Sequence, residues 1–315
     1  MAERKKIVVT GAAGLVGQNL VTLLADRSDL DLVAIDKHAH NLDVLARLHP
    51  RVTTVPADLA EPGPWRERLA GADALVQLHA QITGKGRAPF VRNNIEATRL
   101  VLEACRCHGV PYLVHVSSSV VNSVVEDDYT ETKTAQEDLV RQSGIPHCML
   151  RPTLMFGWFD PKHLGWLARF LERTPIFPIP GHGRYMRQPL YNRDFCRVIA
   201  VCLERRPVGQ VYDLAGRERV DYVDIIRAIR DAKGLKTPIV HIPVGLFALL
   251  LRTYALFSAH PPFTADQLKA LTAGDEFTGV DIEATFGVQP TPFADAIGET
   301  FCDPVYSAIQ VKPYA

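Results

Sequence analysis

The chain has 315 residues, 35 Lys plus Arg against 35 Asp plus Glu, 47% hydrophobic and 22% charged residues. This balance excludes a disordered or low-complexity chain, and zero formal net charge argues against nucleic acid or an anionic membrane as a bulk partner. The length suits one large or two ordinary domains and buries a core without a metal or disulfide staple.

The first half alternates short β-rich runs with helical stretches. Strands are expected over Lys6–Thr10, Asp31–Asp36, Arg51–Ala57, Asp73–His79, Pro111–Ser117 and Ile145–Arg151. Helices are expected near Leu15–Ala25, Phe90–His108 and Thr130–Gln142. Strands apolar on both faces, alternating with helices, predict a doubly wound parallel α/β sheet. After Arg151 proline density rises, and a helix near Asp194–Leu203 and a strand near Val211–Leu214 are expected to return to that sheet. From Tyr222 the chain reads as helix and loop. The expected organisation is a nucleotide-binding domain over 1–155 plus about 191–215, with a smaller, mainly helical substrate lobe over about 156–190 and 216–315.

The six cysteines form no CxxC and no zinc spacing with histidine, so reduced thiols and no metal site are expected. The N-terminus runs straight into Ile7-Val8-Val9 with no signal-peptide pattern, which suits a cytoplasmic protein. The run Ile242–Phe257 contains Pro243 and Arg252 and falls short of the ~20 residues of a membrane span. It reads most simply as lobe core, and its apolar length would also suit a lipid-like substrate.

Between the first strand and first helix lies Thr10-Gly11-Ala12-Ala13-Gly14-Leu15-Val16-Gly17. Glycines at this spacing let the backbone turn tightly against a pyrophosphate, and the helix N-terminus supplies free N–H donors. Asp36 ends the second strand, where a carboxylate bonds both ribose hydroxyls and repels a 2′-phosphate. NAD is therefore expected over NADP. Tyr129 and Lys133 stand four apart at a helix start and share one face. An ammonium beside a phenol favours the phenolate, so Lys133 is expected to lower the Tyr129 pKa and fit it for proton transfer.

The chain resembles the extended short-chain dehydrogenase/reductase family, of the nucleotide-sugar-modifying type, over almost its whole length. The motifs are TGxxGxxG at Gly11, Gly14 and Gly17, Asp58-Leu59, Leu78-His79-Ala80, Asn94 to Thr98, Ser117-Ser118-Ser119, Tyr129-x-x-x-Lys133 with Glu137, Leu150-Arg151-Pro152, and Arg187 to Asp194. The resemblance implies that Gly11, Gly14, Leu15, Val16, Gly17, Asp36, Asp58, Leu59, Leu78, Ala80, Asn94, Ser117, Tyr129, Lys133 and Pro152 meet the cofactor. It implies Tyr129 as acid/base, Lys133 on the nicotinamide ribose, and Ser119 on the substrate oxygen. Arg184 and Arg187 are the candidates to clamp a substrate diphosphate. His79 reads as a packed strand-end histidine. The implied reaction is epimerisation or keto-reduction of a nucleotide-diphosphate sugar. The alternatives are dehydrogenation of a hydroxysteroid or other apolar alcohol, and a non-catalytic dinucleotide-binding sensor or assembly subunit. The helices near 90–108 and 130–142 resemble a homodimer interface.

Three departures qualify the resemblance. The stretch from Ser119 to Tyr129 is short, Leu154 stands where many relatives carry Asn, and Val120-Val121 replace the Asp-Glu with which sugar dehydratases eliminate water. A dehydratase is disfavoured, because the acid that protonates a leaving hydroxyl is missing from that place.

Overall fold

The computed structural model describes residues 4–123, 127–257, 268, 271 and 277–312. Seven strands make one sheet: β1 (Lys5–Thr10), β2 (Leu30–Asp36), β3 (Thr53–Pro56), β4 (Ala74–Gln77), β5 (Leu113–Val116), β6 (His147–Pro152) and β7 (Val211–Leu214). Their order is β7-β6-β5-β4-β1-β2-β3, and every pairing is parallel. The central strands are rich in Val, Ile and Leu and are buried on both faces, as a sheet covered by helices requires.

The two faces have separate apolar layers. Ile7, Val9, Val76, Val114 and Leu150 pack with Leu20 and Val21 of the helix Leu15–Leu24 and with Phe195 and Ile199 of the helix Asn192–Arg205. On the opposite face Val8, Leu75, Leu113 and Met149 pack with Val101 and Cys105 of the helix Ala97–Cys107 and with Val140 of the helix Asp128–Gln142. The stretch Val91–Glu96 that leads into Ala97–Cys107 is wound as a π-helix. Such looser turns re-aim side chains and recur at functional sites.

Beyond β6 the chain builds a lobe around Phe156, Leu171, Phe177, Ile179, Ile226, Ile229 and Ile297. This lobe contains more strand than the sequence reading expected. Phe177–Pro180 pairs in parallel with Ile239–Ile242, and Met186–Arg187 pairs antiparallel with Val220–Asp221. Two helices, Ala39–Leu48 and Leu164–Arg173, were also not anticipated. The run expected as lobe core forms the helix Val244–Phe257, and it leaves Val244, Leu246, Leu249 and Leu250 exposed at 39%, 49%, 57% and 50%. Pro243 separates this helix from the two-stranded ladder. The parts of the expected lobe over 258–267, 269–270, 272–276 and 313–315 lie outside the described residues. No helix among the described residues is long and apolar enough to cross a membrane.

Candidate active site

The glycine turn is built by close approach. Gly11 has φ of 72°, and a Cβ there would lie 2.5 Å from His79 N and 2.7 Å from His79 Cα. Glycine adopts this left-handed geometry without the side-chain clash. At Gly17 a Cβ would stand 2.5 Å from Ala12 Cα, so this glycine lets the first helix pack onto the turn. Gly14 is the N-cap residue, no side chain caps the helix there, and no acidic residue occupies its first turn. Leu15 and Val16 open the helix, whose first N–H groups therefore face an anion with a favourable dipole.

Asp36 sits beside that turn. Its Oδ2 accepts from Ala13 N at 3.0 Å and its Oδ1 from His38 N at 2.9 Å. Asp58 accepts from Arg92 Nη1 at 2.7 Å and from Ala60 N at 3.0 Å. Gly11, Gly14, Asp36, Asp58, Leu59, Leu78 and Ala80 all line one cleft of about 680 Å³, part of it open to solvent. A turn that only glycine fits, an uncapped helix end and a carboxylate at the second strand's end together fit a dinucleotide.

Several lining residues had not been singled out. Lys37, His38, Gln81, Ile82, Thr83, Asn93 and Lys162 share the cleft. Lys162 comes from the lobe, and its Nζ reaches Thr83 Oγ1 at 3.0 Å on the loop after β4. Its position is set by Asp160, whose carboxylate accepts from the backbone N–H groups of Lys162, His163 and Gly165. No spacing in the sequence pairs Lys162 with Thr83. Asn94, expected at the cofactor, accepts from Gln81 N at 2.6 Å and donates to Gln81 O and Thr132 Oγ1. These bonds join the loop after β4 to the helix Asp128–Gln142, and the neighbouring Asn93 lines the cleft.

Tyr129 stands in the first turn of that helix, which Asp127 caps by accepting from Thr130 N at 2.7 Å. The Tyr129 hydroxyl is hydrogen-bonded to Ser118. Burial pushes the phenol above its ordinary value, the Ser118 bond opposes that, and the Asp127 charge adds to it. This corrects the expectation that Lys133 lowers the Tyr129 pKa. The Lys133 ammonium, 1% exposed, donates to Val116 O at 3.0 Å and Gln136 Oε1 at 2.6 Å. Burial takes Lys133 down to about 7, against the raising effect of Glu137. Ser119, the predicted third member, is buried at the start of the turn Ser119–Asn122, whereas the serine bonded to Tyr129 is its neighbour. Ser117 and Pro152 are buried at the ends of β5 and β6. His79 lines the cleft, bonds Thr10 and Thr98, and is taken down to about 3, first by burial and then by Lys133 and Lys37.

The two arginines expected as a clamp have different settings. Arg187 is buried, and its guanidinium donates to Met186 O at 3.0 Å and Leu271 O at 2.6 Å. Arg184 is exposed, and its backbone N–H donates to His182 Nδ1 at 2.9 Å. Two of the five guanidinium N–H groups of Arg187 are thus engaged by carbonyls of the lobe. Leu154, in place of the family Asn, packs partly buried against the lobe core.

The model of the NAD dependent epimerase/dehydratase family matches residues 7–215. The chain belongs to this family, and NAD is its cofactor. It is 29% identical to dTDP-glucose 4,6-dehydratase of Streptomyces griseus, over 72% of this chain and 78% of that one. It is 25% identical to ceramide reductase of Caulobacter vibrioides, over 76% of this chain and 74% of the relative. In fold it is similar to UDP-glucuronic acid 4-epimerase from Bacillus cereus, with a TM-score of 0.72, 23% identity, and coverage of 94% of this chain and 95% of that one.

Proposed function

We propose that this protein epimerises or reduces a nucleotide-diphosphate sugar, with Tyr129 moving the proton at the reacting hydroxyl. The observation that carries the reading is the half-buried Tyr129, beside Ser118, on a helix that also carries the buried Lys133 and is tied through Gln136 to the cleft-lining His79. NAD, when bound, supplies the hydride acceptor and donor. Gly11, Gly14, Gly17 and Asp36 hold the dinucleotide, and Lys133 bonds its nicotinamide ribose. Ser118 orients the Tyr129 hydroxyl, while Ser119 holds the substrate oxygen. As the phenolate, Tyr129 takes a proton from the substrate hydroxyl on oxidation, and as the phenol it returns that proton on reduction. Val120 and Val121 offer no acid for water loss, which favours these reactions over dehydration.

The test incubates the protein with NAD or NADH and UDP-glucose, UDP-glucuronic acid or dTDP-glucose in turn. Nicotinamide absorbance and product stereochemistry are followed. An epimer formed without net cofactor change supports epimerisation, and stoichiometric cofactor turnover supports reduction or oxidation. The absence of both with every nucleotide sugar overturns the reading.

A second reading, oxidoreduction of an apolar alcohol or ketone, is supported by the exposed Val244, Leu246, Leu249 and Leu250 and by the likeness to a ceramide reductase. Turnover with a ceramide or sterol, and none with a nucleotide sugar, would select it. A homodimer through the helices Ala97–Cys107 and Asp128–Gln142 belongs to the same proposal, and sedimentation at twice the chain mass would support it.

A further inference from the structure

Lys133 is held by two oxygens that carry no charge, Val116 O and Gln136 Oε1. The carboxylate of the same helix, Glu137, is occupied by Arg151 and Arg141. The Gln136 amide has one orientation that satisfies its neighbours. Its Nε2 donates to Thr98 Oγ1 at 2.8 Å and to His79 O at 3.3 Å, which turns Oε1 onto Lys133. Thr98 Oγ1 also accepts from Gln77 Nε2 at 2.8 Å, so its single proton goes to His79 Nε2 at 3.3 Å. His79 Nδ1 then donates to Thr10 Oγ1 at 3.0 Å. A chain of donations thus runs from Lys133 to Thr10 at the glycine turn, and Gln136 and Thr98 within it, with Gln77 beside it, are fully buried.

From this geometry we propose that Gln136 is a positioning residue for Lys133, holding its ammonium on a neutral amide oxygen and leaving the charge to the cofactor ribose. A carboxylate at this place would neutralise the ammonium, and an apolar side chain would release it. The proposal rests on the reading of Lys133 as part of the proton machinery. The groups facing Lys133 from the neighbouring elements are His79 after β4 and His115 on β5, both lowered by burial, with Glu137 on its own helix. Imidazole is neutral or positive, so neither histidine offers Lys133 a counter-charge. This agrees with the lowered value of Lys133 itself.

The experiment follows the Lys133 side-chain resonance across pH in the cofactor-free protein, assigned by its loss in Lys133→Met. Gln136→Glu should raise the Lys133 titration by more than about one unit, as an opposite charge within bonding distance does. Gln136→Met keeps the length, removes the strong acceptor, and should lower it. Thr98→Val frees the amide and should lower it less. NADH affinity is measured over the same pH range. It should fall as Lys133 loses its proton, with a midpoint displaced upward in Gln136→Glu. Near-UV circular dichroism selects the folded variants, and if Gln136→Glu does not fold, Gln136→Met and Thr98→Val decide. A Lys133 titration and NADH midpoint unmoved in the folded variants overturn the proposal. None of these readouts needs turnover. Retained activity in Tyr129→Phe would therefore count against the proton machinery alone.

Discussion

Arg151 closes on Glu137 through two parallel hydrogen bonds, Nε to Oε1 at 2.8 Å and Nη2 to Oε2 at 2.6 Å. The pair joins β6 to the helix that carries Tyr129, and the Glu137 side chain is 2% exposed. Burial, the largest single influence, acts to raise the Glu137 carboxyl, but the bonds from Arg151 and Ser117 and the charges of Arg151 and Arg141 together hold the group below its ordinary range. Its stabilising contribution is thus present above the usual carboxylate pKa and is lost as pH falls through the lowered value. Glu137→Ala leaves the largely buried Arg151 guanidinium only Asn122 and the more distant Asp213, and should cost about 3–5 kcal/mol in urea unfolding. A loss below about 1 kcal/mol, the range of exposed pairs, would refute this.

Lys133 gives the opposite pH dependence. Its folded value of about 7 lies below the ordinary lysine value, so between the two the unfolded chain binds more protons. The cost of burying this charge is complete below about 7 and fades as pH rises toward the unfolded value. Lys133→Met should therefore stabilise the cofactor-free protein at pH 6 by a few kcal/mol, at about 1.4 kcal/mol per pKa unit. The advantage should shrink by pH 10. Equal melting shifts at both pH values would exclude the effect.

Tyr129→Phe removes the phenol proton and leaves the cleft lining intact. Turnover should drop by about 10²–10⁴-fold, the usual range for a positioned acid/base, while NAD affinity stays within a few-fold. Kinetics with parallel NAD titration separate the two. Ser118→Ala and Ser119→Ala in the same assay divide the serine roles: the first should displace the pH profile of kcat, the second mainly raise KM.

The Asp36 carboxylate should decide between dinucleotides. Asp36→Asn removes a charge that opposes a 2′-phosphate, and like-charge apposition costs up to several kcal/mol. The ratio of NADP to NAD affinity should rise by about tenfold or more. An unchanged ratio would mean that the 2′ position lies away from Asp36.

At Gly17 an added methyl group would meet Ala12 backbone atoms at 2.5–2.6 Å, which no side-chain rotation relieves. Gly17→Ala should lower the melting temperature and abolish NAD binding together. Native NAD affinity in the variant would show that the turn can shift.

The strands were legible because Val, Ile and Leu cluster where both sheet faces are covered, and the glycine turn because its spacing is set by backbone contact. Less accessible was anything that depends on one side chain choosing between neighbours. Ser118 and Ser119 are adjacent in sequence, and only the backbone path into the turn Ser119–Asn122 decides which one bonds Tyr129. Arg187 has the family distance to Asp194, yet its bonds to Met186 O and Leu271 O, which fix how it sits in the lobe, follow from no spacing in the sequence. Lys162 meets Thr83 only because the lobe folds over the cleft. Gln136 carries no motif at all, and its part is visible only once Thr98, His79 and Lys133 surround it.

The strand Val211–Leu214 is the last to join the sheet, pairing with His147–Pro152 after the chain has already built part of the lobe. During synthesis, the outer edge of β6 therefore waits for some sixty residues of intervening chain before its partner emerges. An open hydrophobic strand edge of this kind templates association with other chains. Nascent or truncated forms ending before Val211 are the forms most exposed to aggregation, so shortening the protein to its first six strands removes the edge protection that the complete sheet supplies.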